Sequence, residues 1–120
     1  MKELILPVKQ GEELNIGFTI YSGTNKLDLS PYTIMFQVKR TPLENVEPII
    51  SKHITQVSDI NDVGAIPHPD QGEVVVHLTK EDTSYPTGDY SLIIALVGND
   101  YYDIISSKCC NKAIYRICEQ

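Results

Sequence analysis

Apolar residues return at every second position along several stretches of this chain, the period of a strand with one face buried. In EELNIGFTIY, Leu14, Ile16, Phe18 and Ile20 fall on one face and Glu13, Asn15, Gly17 and Thr19 on the other. YTIMFQVKR repeats the pattern with Ile34, Phe36 and Val38, and GEVVVHLT repeats it with Val74, Val76 and Leu78. DYSLIIALV is apolar on both faces from Leu92 to Val97, as expected of a central strand. The closing AIYRI reads as a last strand, and Leu4–Val8 and Pro48–Ile54 as shorter ones. No segment shows a sustained three-to-four residue apolar repeat, so the pattern predicts an all-β domain of about seven to eight strands.

The punctuation between these runs is turn chemistry. SGTNK (Ser22 to Lys26) supplies Ser, Gly and Asn for a turn, and GNDY (Gly98 to Tyr101) predicts a hairpin whose second strand runs through Ile104 and Ile105. The longest irregular stretch is Thr55 to Gln71, with His68 between two prolines and Ile66 just before them. Loops of that length are uncommon in compact domains and often carry contacts. His77 is expected on the solvent face of its strand. A two-layer sandwich is the expected architecture, with a barrel as the competing one.

One segment is more specific. After the strand ending at Leu78-Thr79, TKEDTSYPTGDY takes the chain across the end of the sandwich. Pro86 fixes φ, Gly88 permits a positive φ, and Asp82 and Thr83 can satisfy backbone donors in the turn. Tyr90, at the start of the next strand, can bury its ring and bond back to upstream backbone, the tyrosine corner of immunoglobulin-like sandwiches. These five residues, Asp82, Thr83, Pro86, Gly88 and Tyr90, are read as architectural. The expected fold is therefore a single immunoglobulin-like antiparallel β-sandwich over residues 1–120, with residues 1–9 as an edge strand or assembly arm.

The chain resembles the small immunoglobulin-like domains of tailed-phage virion proteins, including the N-terminal domain of baseplate upper proteins. The resemblance runs from about Val8 to Ile117. It rests on VKQGEELNIGFTI, on Asp28, Leu29, Ser30 and Pro31 before a strand, on Gly72, Val74, Val76, Leu78 and Thr79, and on the corner residues with Asp89. The Cys109-Cys110 pair is not part of that pattern, and baseplate upper proteins continue into a longer region. The resemblance implies a non-enzymatic structural role in a virion, in the tail, the baseplate or the head. The expected partners are other virion proteins and copies of the chain itself.

Composition removes other classes. Sixteen Asp and Glu against ten Lys and Arg give a net charge of -6, without the basic footprint that nucleic-acid binding requires. No stretch approaches the ~20 apolar residues of a membrane helix. The start lacks a signal-peptide core, so the chain is expected to be made in a cytosol; the resemblance implies a bacterial host cytoplasm and residence in the virion. The three cysteines, Cys109, Cys110 and Cys118, are expected to be reduced. His53, His68 and His77 lack metal-ligand spacing with them, and no phosphate loop or nucleophile elbow occurs, so no catalytic residue, metal or cofactor is expected. Contact candidates are Leu4, Ile5 and Leu6 in the Pro7-interrupted arm, Ile66 and His68 in the long loop, and Tyr101 and Tyr102 beside the hairpin turn. The alternative is a small ligand- or carbohydrate-binding module using the loop from Thr55 to Gln71.

Overall fold

The computed structural model describes residues 3–41, 45–106 and 112–119. Among these residues the alternating runs form β1 (Glu3–Lys9), β2 (Leu14–Thr19), β3 (Tyr21–Ser22), β4 (Asn25–Lys26), β5 (Thr33–Lys39) and β6 (Ile50–Ile54). There follow β7 (Gly64–Ala65), β8 (Glu73–Leu78), β9 (Gly88–Gly98), β10 (Tyr101–Ile104) and β11 (Lys112–Cys118). A single helical turn, α1 (Lys80–Thr83), follows β8, and a 3-10 turn (Pro69–Gln71) precedes it. The larger sheet has the order β1-β11-β9-β5-β6, with β10 on the far end of β9; the smaller is β2-β8-β7; β3 and β4 form a separate hairpin.

Register puts the apolar rows face to face. Ile34, Phe36 and Val38 of β5 lie opposite Leu96, Ile94 and Leu92 of β9, and Ile34 and Val38 also oppose Ile54 and Ile50 of β6. Val74, Val76 and Leu78 of β8 close the core from the other sheet, all fully buried. A first strand beside the last, a central β9-β5-β6 set, and an opposing β2-β8-β7 sheet make this an immunoglobulin-like sandwich. Leu92, two residues after Tyr90, stands where antibody domains place one half of their inter-sheet disulfide, and here the position is a buried aliphatic.

Four features correct the sequence reading. The sandwich is not wholly antiparallel, because β1 runs parallel to β11 over its whole length, from Glu3 opposite Lys112 to Lys9 opposite Cys118. The described residues form eleven strands rather than seven or eight; the additional ones, β3, β4 and β7, are two residues long, too short for alternation to show. The Thr55–Gln71 stretch is not one loop, since β7 pairs β8 within it and the 3-10 turn ends it. His77 does not face solvent freely. It is buried, with Nδ1 2.6 Å from Asn15 Oδ1 and Nε2 3.3 Å from Glu13 Oε2, and its N–H donates to Val63 O. Asn15 of the neighbouring β2 and Glu13 just before it hold the ring, which periodicity along β8 cannot reveal.

The hairpin at Gly98–Tyr101 has Asp100 at φ 56 and feeds β10, which pairs β9 from Gly98 to Ala95. Lower down, β11 takes over, with Ile114 opposite Ser91. Thirteen residues separate Tyr101 from Ile114 while only seven separate Gly98 from Ser91, so six extra residues interrupt this edge. Cys109 and Cys110 lie outside the described residues.

Candidate functional site

The flank of the sandwich where both sheets end differs from the rest. In a constant-type immunoglobulin sandwich the first strand pairs with the second. Here β1 pairs with β11, and β2 pairs with β8 alone, leaving its other side without a strand among the described residues. Pro7 fits this arrangement, because a residue lacking an N–H is tolerated at a sheet edge. Leu4, Leu6 and Val8 of β1 alternate toward the core, and Ile5 turns the other way; Val8 is buried, while Leu4, Ile5 and Leu6 are half-buried.

Between the two edges lies an apolar cleft of about 360 Å3. Leu4 and Leu6 form one wall, Ile16 and Phe18 of β2 the other, and Phe36 and Leu92 the floor. The inward rows show how open it is: Val74, Val76 and Leu78 of β8 are at 0% exposure, whereas Leu14, Ile16 and Phe18, one strand further out, are only half-buried. Ile105 closes one end. Its N–H donates to Ile94 O at 2.9 Å, and the Ser106 hydroxyl accepts from Ile94 N–H at 3.1 Å, fixing this segment against β9. Tyr21, at 56% exposure, also lines the cleft.

The corner residues lie at the opposite end of the core and are held by polar contacts. Thr79 and Asp82 form a capping box on α1: Thr79 N–H donates to Asp82 Oδ2 at 2.8 Å, and Asp82 N–H donates to Thr79 Oγ1 at 3.3 Å. Lys52 Nζ meets the same Asp82 Oδ2 at 2.8 Å, the two side chains being 10% and 17% exposed. Thr83 is fully buried and its hydroxyl donates to Glu12 O at 2.8 Å, joining α1 to the connection between β1 and β2. Tyr90 donates to Pro86 O at 2.6 Å, with Gly88 between them at φ 140. Tyr115 is packed edge-on to Tyr90 and donates to Asp82 O at 3.0 Å. Burial, then the Asp82 carboxylate and the neighbouring Tyr85 and Tyr90 hydroxyls, push the Tyr115 phenol well above its ordinary value, so it stays a donor. These groups anchor the fold at this end.

The remaining contact candidates are scattered. Ile66 is corrected: it is a core residue at 4% exposure, because the short β7 turns its chain inward. His68 is exposed beside the 3-10 turn. Tyr101 and Tyr102 are exposed at 42% and 56%; the Tyr101 ring packs tilted against Tyr32, centroids 5.5 Å apart, and its hydroxyl donates to Asp103 at 3.2 Å. None of these lines the cleft. Among the described residues no three His, Cys, Asp or Glu side chains converge as a metal site, and Cys118 is a half-buried free thiol.

Sequence reasoning singled out Leu4 and Leu6 on one wall but missed Ile16, Phe18 and Ile105, which alternation marks only as core. The signal for the open edge lies in pairing, which a strand pattern does not specify.

No protein-family model matches the chain, and no curated protein does. Among solved structures, the chain is similar to the extracellular domain of the voltage-gated sodium channel beta4 subunit, described as a parallel homodimer that explains a role in cell-cell adhesion. That match covers 100% of this chain and 94% of the other at 13% identity, with a TM-score of 0.35. A superposition at that score carries nothing across about function or assembly. The fold assignment rests on the strand order and register given above.

Proposed function

We propose that this chain is a structural component of a tailed-phage virion, as a tail, baseplate or head accessory protein, and that it acts through protein–protein contacts. The observation that carries the contact reading is the open flank, where a β2 edge without a partner strand among the described residues, with half-buried Ile16 and Phe18, borders an apolar cleft. An exposed edge beside apolar surface is a liability for a free protein and a contact site for an assembled one. The virion assignment is supported by the sequence resemblance from Val8 to Ile117.

Mass spectrometry of purified particles tests it. The chain is expected at a fixed stoichiometry to the major structural proteins through repeated gradient purification. A chain that is made during infection yet absent from the purified particles overturns the proposal.

A further inference from the structure

We infer that the cleft accepts an extended strand of a partner protein, which adds to β2 as a new edge of the smaller sheet, with apolar side chains turned inward and basic side chains turned to solvent. This rests on reading the open flank as a protein contact, and it specifies what the partner presents there.

Two demands meet at this flank. On the side away from β8, alternate N–H and C=O groups of β2 point outward with no strand to receive them among the described residues. Immediately inside lies the apolar cleft, whose β2 wall is built from Ile16, Phe18 and Ile20 at two-residue spacing. A helix or a small apolar molecule could fill the cleft but would leave the backbone edge unmet. An extended chain meets both, because its backbone continues the ladder while every second side chain enters the cleft. The size agrees: a cavity of ~150 Å3 holds one benzene-sized group. About 360 Å3 therefore suits two such side chains, the number that a four-residue strand along β2 (Leu14–Thr19) would direct inward.

Charge selects the outer face of the incoming strand. β2 and β8 contain no Lys or Arg. Glu12 and Glu13 are exposed at the start of β2, and Glu73 lies opposite Thr19 at its end. Lys9 is the cation nearest in sequence, but it alternates with the buried Val8 and so belongs to the outer face of the other sheet. A strand carrying Lys or Arg at its outward positions is attracted to this edge, and one carrying Glu is repelled, as like charges on adjacent strands are.

The test uses three end-capped ten-residue peptides: alternating Val and Lys, alternating Val and Glu, and the Val/Lys composition in blocked rather than alternating order. Binding is read by fluorescence anisotropy, and the site by amide shifts of the isotope-labelled full chain. The alternating Val/Lys peptide is expected to bind and to shift amides of β2. The Val/Glu and blocked peptides are expected to bind at least about tenfold more weakly. The Glu12→Lys variant, changed at one exposed position, is expected to keep its thermal midpoint and to weaken the preference for Lys over Glu. Absence of binding, equal binding of the Lys and Glu peptides, or shifts confined to another surface overturns the inference. So does self-association through β2 that excludes the peptide, since the occupant would then be a second copy. Particle incorporation is scored separately. A chain present in virions but indifferent to these peptides loses the strand inference alone. One that binds them but is absent from virions loses the virion reading alone.

Discussion

Asp82→Ala is expected to destabilise the fold by about 3 kcal/mol, the low end of the range for removing one partner of a buried ion pair. The same oxygen that accepts Lys52 Nζ at 2.8 Å also accepts Thr79 N–H at 2.8 Å, so one substitution removes the ion pair and half of the capping box together. It leaves Lys52, 10% exposed in the inward row of β6 between Ile50 and Ile54, without its carboxylate. Partial solvent access at Asp82 keeps the loss from the upper end. Lys52→Met is expected to cost less, because methionine suits an apolar row and Asp82 keeps its bond from Thr79. The double variant is expected to cost less than the sum of the two singles. Urea unfolding of the four chains measures all of this, and a loss below about 1 kcal/mol for Asp82→Ala would remove the pair from any part in stability.

Gly64→Ala is expected to cost about 3 kcal/mol or more, for a reason that lies wholly in the backbone. Gly64 has φ 129, a conformation that residues with a side chain rarely adopt. A Cβ there would stand 2.1 Å from the Val75 carbonyl oxygen and 3.0 Å from Val76 Cα. Both obstacles are backbone atoms of β8, which is held between β2 and β7, so neither can move aside cheaply. Gly17 is the internal control. It lies in β2 with ordinary φ, and an added Cβ would meet Val74 O at 3.9 Å, an ordinary contact. Gly17→Ala is expected to change stability by no more than about 0.5 kcal/mol, or to raise it by restricting the unfolded chain. Thermal unfolding of both variants separates the two cases, and equal losses would contradict the close approach of β7 to β8.

Much of the sandwich was legible in the sequence because its long strands have one dry face. Leu14 to Ile20, Ile34 to Val38 and Val74 to Leu78 each alternate, and β9 is apolar on both faces because it lies in the middle of the larger sheet. What the sequence withheld has physical reasons. Alternation identifies a strand but not its neighbour, so Leu4 to Val8 could be read as an edge strand without disclosing that it runs parallel to β11. Lys52 occupies an inward position that pattern reading assigns to a hydrophobe, and only the folded chain brings Asp82, thirty residues on, to meet it. Ile66 follows a two-residue strand, too short to show which way its side chain faces. His77 is met by Asn15 and Glu13, from a segment distant in sequence. The cleft was hidden for a related reason: Ile16 and Phe18 carry the same core signature as Val74 and Val76, and the absence, among the described residues, of a strand beyond β2 cannot be seen from β2 itself.

Amide hydrogen exchange on the monomeric chain tests the open edge most directly. An antiparallel strand bonded on one side protects every second amide and leaves the alternate ones to solvent. Along β2 (Leu14–Thr19), slow exchange is expected at the amides bonded to β8 and fast exchange at those between them, while β8, paired on both sides by β2 and β7, is protected at Val75 and Val76. Uniform protection along the whole of β2 at monomer concentrations would mean that a strand already occupies that edge, and would contradict the open flank on which the proposed function rests.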